Sequence, residues 1–215
     1  MHRHKLLDPL WHVHVFIVLT VAMQLLLPSN LVRGPRILIA ALELILMAGM
    51  TLATPRAKIF TSSVRRSLVV SMIVLISIAN VTSLELLIRV ILHGDALDGT
   101  RLILSGVNVS ITNIVIFALW YWEMDGGGPG VRMDNTIPYR DFKFTQMDSS
   151  PYVPKDWFPT FIDYLYLSAT NALAFSPTDT LPLTRRAKML MLLQSLVSIS
   201  TIALVVARAV NVLGR

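Results

Sequence analysis

Residues 102–122 read LILSGVNVSITNIVIFALWYW, an apolar run with no charged side chain. At about 20 residues, it matches what an α-helix needs to cross a hydrocarbon core of roughly 30 Å. A span must satisfy its backbone hydrogen bonds internally, so the run reads as helix although Val and Ile are dense in it. Three comparable runs precede it. The first covers 11–27 and stops at Pro28, the second covers 37–53 and stops before Pro55, and the third covers about 68–92. One more, from Met189 to Leu213, follows Arg185-Arg186-Ala187-Lys188.

The whole chain has the same character. Its 215 residues are 54% hydrophobic and 15% charged, with a mean hydropathy of +0.63. Soluble chains carry about 25% charged residues, so this composition argues against a water-soluble enzyme. Cysteine is absent, which excludes disulfides, thiolate zinc sites and cysteine nucleophiles. A net charge of +6 could suggest nucleic acid. The basic residues instead flank the apolar runs, as in membrane proteins, so the lipid bilayer is the expected partner and nucleic acid is not. Arg3 and Lys5 before the first run would suit a signal peptide. However, Leu26-Leu27-Pro28-Ser29-Asn30 offers no small-x-small cleavage site, and the run is expected to stay as an anchor.

Residues 123–156 differ. They open on Gly126-Gly127-Gly128-Pro129-Gly130 and continue with scattered charges and prolines. Such a run breaks helices and predicts a loop. Its aromatics, with Trp120-Tyr121-Trp122 before it, predict anchoring at the membrane surface. A shorter apolar stretch, 161–175, follows, with Pro159 suited to its first turn. The expected fold is an all-α integral membrane protein. Four transmembrane helices occupy 1–122, an interfacial loop 123–156, and a short re-entrant or sixth spanning helix plus a final long helix 157–215.

Residues 163–188, DYLYLSATNALAFSPTDTLPLTRRAK, and the apolar helix after them resemble the pore module of tetrameric potassium channels. On that resemblance Tyr166, Ser168 and Thr170 fall in the pore helix. Ala174, Phe175, Ser176, Pro177, Thr178 and Asp179 fall in the filter, and Pro182 and Thr184 in the turn after it. Gln194 and Ser198 are its candidates to line the pathway. The resemblance implies an ion channel, inorganic cations and a homotetramer. Both filter glycines of Thr-Val-Gly-Tyr-Gly-Asp are missing here, so strong potassium selectivity is not expected, because a carbonyl-lined filter needs backbone angles that glycine supplies. The landmarks ALWYWEMDGGGP, NALAFSPTDTLPLT and ARAVN also resemble a group of uncharacterised bacterial multi-pass membrane proteins, which implies the bacterial inner membrane and no activity. Two alternatives stand beside the channel: a non-conducting scaffold or sensor, and a small proton-coupled transporter.

Topology is drawn in two directions. A potassium-channel module would put the loop before the short helix outside. Arg3, Lys5, Arg56, Lys58, Arg65 and Arg66 put the N-terminus and the loop between the second and third runs inside, and with them 123–156. A full sixth span through 157–176 would reconcile the charges.

Ionisable groups at membrane depth point to function by default. Glu43 lies mid-span, and Arg208, Asn80 and Asn113 are its candidate partners. Glu85 and Arg89 are four apart and can pair on one helix face. Asn108 and Asn113, with Ser105, Ser110 and Thr112, form a polar stripe suited to interhelical hydrogen bonding. Ser195 and Ser200 extend the same pattern in the last helix. His2, His4, His12 and His14 cluster in sequence, but the last two diverge on a helix, so no metal site and no cofactor are expected. No catalytic motif appears. An intramembrane protease pairing of Asp163 with Asp179 has no other support.

Overall fold

The computed structural model describes residues 11–32, 36–52, 63–93, 99–134, 139–148, 151–154, 157–176 and 179–213. It is mostly helical. In chain order the elements are α1 (Trp11–Leu26), α2 (Arg36–Leu52), α3 (Ser63–His93), α4 (Gly99–Met124), α5 (Pro129–Asp134), β1 (Phe142–Phe144), α6 (Phe161–Leu173), β2 (Thr180–Pro182) and α7 (Arg185–Leu213). Among the described residues, three helices are long and apolar enough to cross a membrane: α3, α4 and α7. Within α1, Val13–Leu26 is apolar but shorter, and α2 has 17 residues.

Helix α4 is central. It packs most extensively on α6 and α7, then on α3, and more lightly on α1. Its contacts fix the direction of every neighbour. Phe16 of α1 meets Phe161, which lies against Trp122, while Met23 accepts a hydrogen bond from Asn108. Arg66 of α3 sits 3.8 Å from Glu123, whereas Leu87 lies beside Gly106. Ala187 of α7 starts near the end of α4, and Val205 reaches Gly106. So α1, α3 and α7 all run antiparallel to α4. One end of the bundle, the loop end, gathers the C-terminus of α4 and the starts of α1, α3, α6 and α7. The seam is tight: a Cβ on Gly106 would lie 2.1 Å from Val205 Cγ2, so only glycine lets α4 and α7 approach this closely.

Helix α6 has 13 residues, or about 20 Å, too short for a full crossing. It enters from the loop end. Its start packs against Trp122, and Ser168 bonds to Ile114, more than two turns deeper along α4. The chain then returns. Strand β2 pairs antiparallel with β1 in the register Phe142↔Pro182, Lys143↔Leu181, Phe144↔Thr180. Both ends of the α6 segment are therefore hydrogen-bonded together at the loop end.

The expected surface loop is partly interior. Phe142 and Phe144 are fully buried and pack edge-on against Tyr164. Tyr121 and Trp122 are buried too, so they form core rather than an aromatic belt, and the Trp120 indole donates to Ser77. Tyr139 and Tyr152 are exposed. Pro159 stands just before the cap of α6, not in its first turn.

Candidate functional site

At the loop end a clasp of charged residues holds the α6 hairpin in place. Three consecutive glycines make it possible. Gly126, Gly127 and Gly128 have φ of 56°, 83° and 99°, a left-handed run that residues with a Cβ adopt only at a cost. The turn buries Asp125. Its Oδ1 accepts from the Asp141 and Phe142 amides at 2.7 and 3.1 Å, and its Oδ2 from the Tyr164 hydroxyl at 2.6 Å. Arg132, also buried, donates to the Trp122 and Asp125 carbonyls and stacks over the Tyr164 ring. Arg140 lies 3.9 Å from Asp125. Asp141 in turn accepts from the Gly126 amide at 3.0 Å and from the Thr184 hydroxyl. Thr184 then caps the start of α7 by accepting from the Ala187 amide at 3.2 Å. One network thus ties α4, β1, α6 and α7.

Helix α6 begins at Thr160, whose amide and hydroxyl both donate to Asp163 Oδ2, at 2.7 and 2.9 Å. This fixes the first turn as the acidic half of a capping box does. Asp163 is thereby occupied at the helix start, and among the described residues no hydrogen bond joins it to Asp179.

Deeper in, α6 meets α4 and α7 across a seam of polar side chains. Gln194 Nε2 donates to Ser168 O at 3.0 Å and to Ser168 Oγ at 2.7 Å. Gln194 Oε1 accepts from Asn171 at 2.9 Å and from the Tyr121 hydroxyl. Asn171 also donates to the Met191 carbonyl at 3.0 Å, and Ser168 to the Ile114 carbonyl at 2.7 Å. One turn on, Asn113 donates to Ser198 at 3.2 Å. Gln194 and Ser198, the two candidates for lining a pathway, are therefore buried between helices within one chain. Their geometry is that of interhelical hydrogen bonding.

Past Leu173 the helix ends in a left-handed residue. Ala174 is the C-cap, its amide bonded to Thr170 O at 2.9 Å, and Phe175 follows with φ 54°. Among the described residues Phe175 is the one non-glycine with positive φ. Glycine usually fills this position because a Cβ there costs about 1–2 kcal/mol. Leu173 and Phe175 are 64% and 48% exposed, and Ala174 and Ser176 are exposed as well. Pro177 and Thr178 lie outside the described residues. The Asp179 carboxylate accepts from Thr180 Oγ1 at 3.0 Å, and its carbonyl accepts from the Thr145 amide at 2.9 Å. The side chain of Asp179 therefore works locally, and its backbone belongs to the β1–β2 junction.

The remaining polar residues are placed as follows. Glu85 and Arg89 form the expected pair, both partly exposed. Glu43 is fully buried, and its Oε1 accepts from Gln24 Nε2 at 3.3 Å, a partner on α1 that the sequence reading did not name. Asn108 donates to the Met23 carbonyl at 2.8 Å. His2 and His4 lie outside the described residues. Among the described residues no group of three or more His, Asp or Glu could hold a metal. Sequence reading also missed Asp125, Asp141 and Arg132. The one signal for them was an Asp directly before three glycines.

Comparison with family models, curated proteins and solved structures finds no match for the chain. What the fold and site establish is coarser: a helical protein with three helices long and apolar enough to span a membrane, and a polar hairpin set among them.

Proposed function

We propose that this is a channel-like protein of the bacterial inner membrane, with α1–α4 and α7 crossing the bilayer and α6 re-entering from the loop end. The observation that carries the reading is the loop after α6. It leaves the helix well inside the bundle, at more than two turns from Trp122, and its residues are exposed in a single chain. Irregular backbone at that depth cannot face lipid, because its amides and carbonyls would lack partners; it must be covered by protein or lie in water. A homo-oligomer arranged around this loop, with water at its centre, meets both conditions. The exposed apolar face of α7, including Leu192, Leu193, Leu196 and Ile199, supplies surface for lipid and for neighbouring subunits.

The orientation follows from charge. The loop end carries Arg65, Arg66, Lys143, Arg185, Arg186 and Lys188, and the clasp arginines Arg132 and Arg140 besides, whereas the far end of the described bundle carries Arg36, Arg89, Arg101 and Arg208. The positive-inside rule assigns the loop end to the cytoplasm. The hairpin then enters from the cytoplasmic side, inverted relative to a potassium-channel module. This removes the conflict between charge and residue order without a sixth span. Inorganic monovalent cations are the proposed permeant species, with weak discrimination among them, since the sequence has Ser176 and Thr178 where a potassium filter has its two glycines.

A non-conducting scaffold is the second reading. It is favoured by the polar side chains of α7, which turn inward to Ser168, Asn171 and Asn113 and leave an apolar outer face. Purified protein reconstituted in liposomes separates the two. The channel reading expects an oligomer by light scattering in detergent and cation flux under a gradient. An oligomer without flux supports the scaffold, and a monomer without flux removes the channel reading.

A further inference from the structure

A polar layer crosses the other half of the molecule. Helices α1 and α3 each pack on both α2 and α4, so the four helices form a ring. Glu43 of α2 turns into it and is fully buried. Its contact with Gln24 and the contact of Asn108 with Met23 use adjacent residues of α1, which sets Glu43 and Asn108 at one level. Thr112 lies one turn from Asn108 on the same helix face. On α3, Ser77 and Leu87 stand beside Trp120 and Gly106, so buried Asn80 and Ser83 fall within the same layer.

Among the described residues, three buried atoms in this layer have no hydrogen-bond partner: Glu43 Oε2, Asn108 Oδ1 and Thr112 Oγ1. All three are oxygens with lone pairs to offer. Buried polar atoms are normally partnered, and orphans of one kind at one level inside a four-helix ring ask for a common ligand. We propose that Glu43, Asn108 and Thr112 form a monovalent-cation site inside the α1–α4 bundle. The choice of ligand is narrowed by charge and donor type. A proton on Glu43, relayed through the Thr112 hydroxyl to Asn108, is the competing ligand, and the pH arm of the test below separates it from a metal cation. Water brings no charge and leaves a carboxylate uncompensated at membrane depth, which is costly. A divalent ion would leave a net positive charge in an apolar bundle. A single positive charge neutralises Glu43 and engages all three oxygens, and oxygen-only donors suit a hard alkali cation. The Gln24 amide occupies Oε1 and leaves Oε2 as the oxygen for the ligand. This inference is independent of the α6 hairpin and of any flux through it.

The test is thermal unfolding of the purified full chain in detergent, in lithium, sodium, potassium and choline chloride at one ionic strength, repeated at several pH values. A ligand that binds only the folded state raises the unfolding midpoint with its concentration. The site predicts a saturable rise with at least one alkali cation over choline. That rise is lost in Glu43→Gln and reduced in Thr112→Val, which keeps the shape of the side chain; Thr112→Ser retains it. If Glu43→Gln does not fold, the Thr112 pair decides alone. Equal midpoints in all four salts for the wild type would overturn the proposal. So would an unchanged cation response in Glu43→Gln or Thr112→Val, or a midpoint that moves with pH but with no cation at any pH.

Discussion

The seam behind α6 and the layer around Glu43 are both sets of buried polar side chains among apolar helices, yet they are built differently. In the seam, Gln194, Asn171, Ser168, Tyr121, Asn113 and Ser198 satisfy one another. In the layer, Glu43, Asn108 and Thr112 each keep an oxygen without a hydrogen bond among the described residues. A complete network fixes one arrangement of helices and has no use for a ligand. An incomplete one leaves room for a ligand. Polar residues at membrane depth thus divide into those that position the hairpin and those that can bind something, and sequence spacing alone does not separate them.

Substitutions sharpen that contrast. The largest effect is expected at the clasp that the seam hangs from. Asp125→Ala removes the acceptor for two amides and the Tyr164 hydroxyl and leaves Arg132 as an uncompensated buried charge, so it should destabilise by about 3–5 kcal/mol. Denaturation in detergent, or failure to purify as a folded species, reads this out. Next is Gln194→Leu, which strands Ser168, Asn171 and Tyr121 together. We expect a loss of about 2–3 kcal/mol with no dependence on salt identity, in contrast to Glu43 variants. A cation-dependent midpoint change on altering Gln194 would erase the distinction between the two regions.

Phe175→Gly should act in the opposite direction. It relieves the left-handed backbone at the end of α6 and should stabilise by about 1 kcal/mol, provided that the ring makes no compensating contact in the oligomer. A loss of stability together with loss of the oligomer would identify Phe175 as an intersubunit residue. The smallest effect is expected at Asp179. Among the described residues its carboxylate has one hydrogen-bond partner, Thr180, and Asp179 is part-exposed, so Asp179→Asn should change stability by less than about 1 kcal/mol. Altered cation flux in that variant at unchanged stability would assign Asp179 to the pathway.

Much of the helical frame was legible in the sequence. The run 102–122 became α4 (Gly99–Met124), 189–213 became α7 (Arg185–Leu213), and 161–175 became α6 (Phe161–Leu173). Apolar length and the prolines beside it carried that information. The strands were not legible, because three residues each, Phe142–Phe144 and Thr180–Pro182, are too short to show an alternating pattern. The clasp was hidden for another reason. Asp125, Arg132 and Asp141 look like ordinary loop charges until the glycine turn brings them under Tyr164. Gln194 and Ser198 were read from helical spacing as candidates to face a pathway. Spacing fixes a shared face, but not whether that face meets water or α6.

The central claim is that the α6 segment enters and leaves on one side of the membrane. Because the chain has no cysteine, single cysteines report without background. Tyr152→Cys before α6, Leu181→Cys after it and Ser29→Cys at the far end all replace exposed residues. Labelled with a membrane-impermeant maleimide in vesicles of defined orientation, positions 152 and 181 should react from the same side, the cytoplasmic one, and position 29 from the other. Reaction of 152 and 181 from opposite sides would make α6 part of a full crossing and contradict the account.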